Sequence, residues 1–371
     1  MNHPINIVHI DTGRDWRGGE QQAFYLVRGL LQKTGFNQKV IAQPGSIFAR
    51  RVSEIGVDVI ETKMRGEIDP SALKRILQVI KDNRIDLVHV HDAHAHSQAL
   101  TATAFARHVQ VIVTRRVDFQ VGKNIFSTFK YKNPRNHYIA ISSGVRQVLI
   151  QGGISSGKID LVHSGIDPER FKEAGHGSEF KRRFQIDEND FVIGNIGALV
   201  DHKGQIYLIN AAPRILESIP NARIFILGEG ELRSSLKKKI LELGLGEKVH
   251  LPGYIENIGD ALNALDLFVL SSHLEGLCTS LLDAMLMRVP VVATNTGGVP
   301  DAVIHGKTGL LAEPQNPAEI ADAVIEMHRD PELRSRLVGQ AYRHIMENFT
   351  VNQMVEGTAE VYRKVMKRIR K

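Results

Sequence analysis

The chain has one cysteine, Cys278, one tryptophan, and no stretch of the roughly 20 apolar residues needed to cross a bilayer. A lone cysteine forms no internal disulfide and no multi-thiolate metal cage, which suits a reducing compartment and leaves Cys278 as a small packing residue. The opening residues MNHPINIVHID lack the basic start and apolar middle of a secretory leader, so a cytoplasmic location is expected. Low-complexity tracts and solenoid-period repeats are missing too. What is there suits folding: 43% hydrophobic and 24% charged residues. At 371 residues the chain exceeds the roughly 250–300 at which single cores stop growing, so two domains are expected. Acid is scarcer than base, 41 residues against 47. The resulting charge of +6 favours phosphates, acidic lipid or nucleic acid as partners.

Short β-branched runs alternate with amphipathic segments. Ile5–Ile10, Lys39–Ala42, Val57–Ile60, Ile85–His91, Val109–Thr114 and Tyr138–Ser142 read as strands, several of them almost continuously apolar. Strands of that kind are covered on both faces, as in a parallel sheet flanked by helices. Between them Ala23, Val27, Leu30 and Leu31, and then Leu73, Ile76, Leu77 and Ile80, recur at helical spacing. A polar connector from Glu169 to Asp190 leads to a second alternation: Phe191–Gly197, Ala222–Gly228, Lys248–Leu251, Leu267–Leu270, Pro290–Thr294 and Gly309–Leu311. The expected fold is α/β, with two Rossmann-like doubly wound domains facing each other across a cleft. Residues 1–168 with a returning basic helix, 352–371, form the first domain, and 169–351 form the second. Ligands bind at the carboxyl ends of such sheets.

The segment after Leu267–Leu270 runs Glu275-Gly-Leu277-Cys278-Thr279-Ser-Leu-Leu-Asp283 into a helix. Carboxylates there accept hydrogen bonds from sugar hydroxyls, and the N–H groups of the helix start, around Leu277, Cys278 and Thr279, suit a diphosphate. Together they point to a nucleotide sugar.

Ser-Ser-His-Leu-Glu275-Gly, the acid at Asp283, Pro290-Val-Val-Ala-Thr and Gly297-Gly298-Val-Pro-Asp301 resemble the retaining GT-B glycosyltransferases of the large family four. That resemblance implies that Glu275 faces the donor sugar and Asp283, in place of the family's glutamate, the ribose. In Gly197-Ala-Leu-Val-Asp-His-Lys203-Gly204 it implies that Lys203 neutralises the leaving diphosphate, while Ala198 replaces an expected arginine. Arg115 and Arg116 are candidate substitutes, and Arg116 stands where the family tends to carry a donor-facing histidine. Gly18 and Gly19 open the first helix, where backbone approaches a phosphate or sugar closely, although a tight turn would use them as readily. Gly228-Glu229-Gly230 is similar to the family's loop under the nucleotide base. No metal or other cofactor is expected.

His89, His91, His94 and His96 with Asp92 are residues from which a zinc or iron site is built, and a metal-dependent hydrolase is the rival reading. By the resemblance His91 and His94 line the acceptor side instead. Residues 115–135 interleave Arg115, Arg116, Lys123, Lys130, Lys132 and Arg135 with Phe119, Phe126, Phe129 and Tyr131. Such a stretch grips nucleic acid, lies on an anionic membrane or is a solvated loop over packed aromatics, and of the two binding readings the resemblance favours the membrane or a phosphorylated glycan. The expected activity is transfer, with retention, of a sugar from a nucleotide diphosphate to a glycan or lipid-linked acceptor in cell-envelope synthesis. The protein would be cytoplasmic or peripheral on the inner face of the membrane, with no nucleic acid partner. A catalytically degenerate sugar-nucleotide-binding protein is a further alternative.

Overall fold

A computed structural model describes residues 3–122 and 125–369; Lys123 of the basic stretch and the last two residues of the returning helix lie outside that range. Contacts divide the chain into two units, Met1–Gly165 with Val351–Lys371, and Ile166–Thr350.

In the N-terminal unit the apolar runs become β1 (Ile5–Asp11), β2 (Phe36–Ala42), β3 (Val59–Glu61), β4 (Leu87–Val90), β5 (Gln110–Arg115), β6 (Asn136–Ala140) and β7 (Ile159–Leu161). They form one sheet in the order β3-β2-β1-β4-β5-β6-β7, with every pair parallel. The C-terminal unit repeats the plan with β8 (Phe191–Ile196), β9 (Ala222–Leu227), β10 (Val249–Gly253), β11 (Leu267–Leu270), β12 (Val291–Thr294) and β13 (Leu310–Ala312). Its order is β10-β9-β8-β11-β12-β13, again parallel. Both units are Rossmann-like. In each, the chain runs outward from a central strand and then returns to that strand's other side, so the strand order reverses between β1 and β4 and between β8 and β11. Crevices at the carboxyl ends of such strand pairs are the ligand sites of open α/β sheets.

Burial on both faces explains the lack of alternation: β4 and β11 are buried at every residue. β7, Ile159-Asp-Leu161, is short and carries an acid, so no apolar run announced it. The helix Pro70–Asp82 starts where Asp69 accepts from the amides of Ser71 and Ala72, with proline in the first turn. Its buried stripe is Ala72, Ile76, Val79 and Ile80, which turns the expected stripe off Leu73 and Leu77. The helix Gly18–Leu30 buries Ala23, Val27 and Leu30, whereas Leu31 is exposed.

The last helix, Val351–Ile369, puts Val355, Ala359, Tyr362 and Met366 into one cluster with Tyr25, Leu26 and Leu30 of the first helix. Each fully buried side chain of this size contributes about 1.5–3 kcal/mol, enough to hold the segment to the N-terminal unit. Among the described residues no helix is long and apolar enough to cross a membrane.

Candidate functional site

In the C-terminal unit, Lys203 ends a short turn of 3-10 helix, Asp201–Lys203, just past β8, and Glu275 lies just past β11. These are the two strands at the reversal. Lys203 Nζ donates to Glu275 Oε2 at 2.5 Å, and Ser272 Oγ donates to the same oxygen at 3.2 Å. The two loops are stitched by backbone as well, since His273 N donates to His202 O at 2.9 Å and Ser271 Oγ to Lys203 O at 3.3 Å. Glu275 is 8% exposed. A carboxylate this buried needs the ammonium and the hydroxyl, because an uncompensated buried charge costs several kcal/mol.

Glycine lets these loops approach. Gly204 has φ +62°, and a Cβ there would lie 2.2 Å from Ser271 O, so a larger residue would push the loop carrying Lys203 off the end of β11. Gly228, after β9, has φ +140° and would place a Cβ 2.0 Å from Gly197 O. The turns 197–199 and 228–230 therefore lie backbone on backbone, joined by Leu199 N donating to Glu229 O at 2.9 Å. The Lys203 stem rests on Gly197, with Cδ 3.7 Å from where a Cβ would stand. Glu229 is exposed at this corner and pairs with Arg233, and Gly230 packs against Leu199 O. Ala198, where an arginine was expected, is exposed, and its carbonyl accepts from Gln205 Nε2 at 2.9 Å.

Leu277 and Cys278 are buried and lead into the helix Thr279–Leu286, whose start has no side-chain cap. Backbone amides at such a start favour an anion. Burial raises the Cys278 thiol, whose Sγ lies 3.2 Å from Ser280 Oγ, in keeping with a packing role. Asp283 sits beyond the first turn of this helix, and Arg170 Nη1 donates to its Oδ2 at 2.7 Å. Burial pushes the Asp283 carboxyl up to about 6 against the pull of Arg170. The resemblance places the ribose on this carboxylate; the arginine is a feature of the fold that no motif marks. The partners are 113 positions apart, and nothing along the chain links them.

In the N-terminal unit, Gly18 and Gly19 begin the first helix, whose Glu20 accepts from Arg17 N in a capping box. Asp92 accepts from the amide and hydroxyl of Thr12, both at 2.7 Å, and caps the helix Ala93–Thr103. The expected histidine cluster does not assemble as a unit. His94 is exposed and pairs with Glu67, and His96 is buried edge-on to Tyr131 and Tyr138. His89 and His91 instead gather with His9, which the sequence reading passed over, each offering a ring nitrogen within 4.8 Å of the others. Burial holds the His9 imidazole down to about 3 and those of His89 and His91 well below the usual range. Asp11, beside them, is pushed up to about 7 by burial, with Asp92 and Glu20 adding to the rise.

Arg115 is spent on its own loop, donating to Val117 O, Tyr131 Oη and Phe119 O at 2.6–3.1 Å. That use argues against Arg115 as a stand-in cation. Arg116 turns inward and donates to His91 Nδ1 at 3.3 Å. Beyond it, Ile125, Phe126 and Phe129 are 78%, 83% and 75% exposed, an apolar patch larger than scattered surface residues explain. Lys130 is tied to Glu67 and Ala93 O.

Two family models match the chain: Glycosyltransferase Family 4 over residues 16–170 and Glycosyl transferases group 1 over residues 178–344. An uncharacterized glycosyltransferase of Methanocaldococcus jannaschii, MJ1607, is 31% identical over 216 residues, 56% of this chain and 55% of its own, so the match takes in about half of that relative. N-acetyl-alpha-D-glucosaminyl L-malate synthase of Bacillus anthracis is 22% identical across 81% of this chain and 80% of its own. Among solved structures, a glycosyltransferase from Rickettsia africae superposes with TM-score 0.84 at 19% identity, covering 98% of this chain and 99% of that one. HepE of Anabaena, in complex with UDP and glucose, gives 0.82 at 20% identity, covering 96% and 99%. At such identities the likeness is one of fold. With both halves matched by sequence, and the reversal points of both sheets carrying the side chains described above, the chain belongs to the GT-B glycosyltransferases of the family 4, group 1 type.

Proposed function

We propose that this protein transfers a sugar, with retention at the anomeric carbon, from a nucleotide diphosphate sugar to a glycan or lipid-linked acceptor of the cell envelope. The observation that carries the reading is the Lys203–Glu275 pair at the reversal point of the C-terminal sheet. Breaking the bond from sugar to diphosphate builds negative charge on the leaving phosphate, and fixed cations and N–H groups in a dry site stabilise it. Lys203 supplies the cation and the uncapped start of Thr279–Leu286 supplies amides. In the donor complex Lys203 turns from Glu275 to the diphosphate, and Glu275 accepts from a sugar hydroxyl. The turns at Gly197 and Gly228–Gly230 receive the nucleotide, and Asp283, held by Arg170, contacts the ribose.

A donor phosphate oxygen takes the acceptor's proton on the face from which the diphosphate leaves, so the reaction runs without a metal. Relatives and structural neighbours support the nucleotide-sugar part: among them are GDP-mannose-dependent mannosyltransferases of Mycobacterium tuberculosis and HepE bound to UDP-glucose. The N-terminal unit carries acceptor recognition, and the patch of Ile125, Phe126 and Phe129 in a basic stretch rests on an anionic membrane face in the cytoplasm.

The test is a panel of UDP-, GDP- and ADP-sugars. Stabilisation against heat by one of them, followed by an EDTA-insensitive product whose mass is the acceptor plus one sugar, is expected. A protein stabilised by no member of the panel would contradict the reading, and donor binding without any product would make it a binding protein.

A further inference from the structure

His9, on β1, and His89 and His91, on β4 and just past it, form a stack in the interior of the N-terminal unit, with ring centroids 4.3–5.5 Å apart. The register explains the meeting: β1 and β4 are neighbours and His9 pairs with His89, while alternation returns His91 to the face of His89. Three imidazoles so close suggest a metal site, but their hydrogen bonds argue against one.

Arg116 Nη2 donates to His91 Nδ1. A guanidinium has donors and no acceptor, so Nδ1 must carry the lone pair, and the His91 proton sits on Nε2. That N–H donates to His9 Nδ1 at 3.1 Å, which places the His9 proton on its own Nε2. His9 Nε2 and Gln38 Oε1 are both buried without a hydrogen-bond partner. Gln38 Nε2 is held separately, donating to Val27 O at 2.8 Å, so the chain ends at the His9 ring. His89 is engaged separately, by the Tyr362 hydroxyl at Nδ1 and Thr114 Oγ1 at Nε2.

A cation shared by His9 and His91 would need a bare Nε2 on His91. Its proton would move to Nδ1, against the Arg116 N–H, and a second positive charge would stand beside a buried guanidinium. The arginine and the metal exclude each other.

Arg116 follows β5, and its stem passes Gly19 at the start of the first helix, Cδ 3.7 Å from where a Cβ would be. Asp11, Glu20 and Asp92 surround its charge, and its Nε is buried without a partner. Three carboxylates offer a guanidinium several competing poses; one nitrogen acceptor in line selects among them. We propose that His91 and His9 are positioning residues, a neutral chain of fixed tautomers that holds the Arg116 guanidinium at the carboxyl ends of β1, β4 and β5 for acceptor binding. The role in acceptor binding rests on the glycosyltransferase reading; the chain of tautomers does not.

Long-range proton–nitrogen spectra of the full-length protein with labelled histidine test the chain at pH 7. His91 and His9 are both expected as the Nε2–H tautomer, unchanged by one equivalent of zinc. An Nδ1–H tautomer at His91, or joint zinc-dependent shifts of both rings, overturns it. The positioning role is read from the Arg116 Nε–H signal. It should be sharp in the parent and in His91→Asn, whose side-chain oxygen keeps an acceptor near Nδ1, and broadened by exchange in His91→Leu with the remaining amide spectrum intact. A signal equally sharp in His91→Leu overturns that role. With the donor found by the panel and an acceptor that yields the product, His91→Leu should raise the KM for acceptor about tenfold and His91→Asn should restore most of it. Failure to find any donor would count against the glycosyltransferase reading and leave the spectra to decide the chain.

Discussion

Lys203 and Glu275, 72 positions apart, share one ion pair at 2.5 Å because each follows one of the two strands between which the order of the second sheet reverses. The topology sets them in one place, and the glycines of the neighbouring turns let the loops close enough for contact. The pair is a stability element as well as a candidate catalytic one. Lys203→Met, leaving the buried Glu275 carboxylate without its ammonium, should cost about 3 kcal/mol. Lys203→Met with Glu275→Gln should cost clearly less than the sum of the single changes. Urea unfolding of the four proteins measures the coupling, and additive effects would show that the two side chains do not act on each other.

Asp283→Asn should leave Arg170 facing a neutral amide and cost about 1–3 kcal/mol, with weakened binding of nucleoside compared with free sugar. The Arg170→Ala change should be the worse of the two, since it strands a carboxylate that is 6% exposed. Thermal unfolding with and without nucleotide ranks them, and the reverse order would count against burial as the dominant cost.

Gly228→Ala should destabilise by about 3 kcal/mol or more, because a Cβ would meet Gly197 O at 2.0 Å in a backbone conformation that L side chains rarely adopt. Gly45→Ala is the control for strain alone: its φ is +68° and a Cβ there would meet nothing within 4 Å. Similar losses at both positions would remove packing from the explanation.

Much of this arrangement was legible along the chain. β8, β9, β11 and β12 announced themselves because both faces are almost wholly buried and their runs are mostly apolar, with Asn195 and Arg223 the main interruptions. Glu275 stood out because the loop after such a strand is where ligands bind, and Lys203 through the resemblance to the glycosyltransferase family. What escaped was fixed by contacts across the fold. Arg170 looks like any basic residue of a polar connector until the fold brings Asp283 to it. His9 lies inside an apolar strand with no local mark of its partners, and the cluster expected from His89 to His96 came apart because strand and helix send those rings in different directions. Arg115, chosen for its charge, proved to be a staple for its own loop.

Acid should loosen the protein. Burial holds His9 and His96 down to about 3 and His89 and His91 well below 6.5. An unfolded chain takes up those protons near 6.5, so their contribution is complete above that pH and is lost as the pH falls toward 3. Asp11 and Asp283, raised from 3.8 to about 7 and about 6, act oppositely: their contribution is present below 3.8 and lost as the pH rises through 6 to 7. The buried imidazoles outnumber the raised carboxyls, so the balance between pH 6 and 4 is a loss of stability on acidification. The thermal midpoint at pH 5 should therefore lie below that at pH 7, and equal midpoints would show that these imidazoles are not neutral in the fold.

The central claim, that Lys203 is the cation for a nucleotide's diphosphate, is tested most directly by calorimetric titration of the nucleoside diphosphate chosen by the panel into the parent and into Lys203→Gln, with the corresponding nucleoside as a second ligand. The diphosphate should bind the variant about 10–100-fold more weakly, a loss of about 1.4–2.8 kcal/mol, while the nucleoside binds both alike. Diphosphate binding that is equally tight in a folded Lys203→Gln would contradict the account.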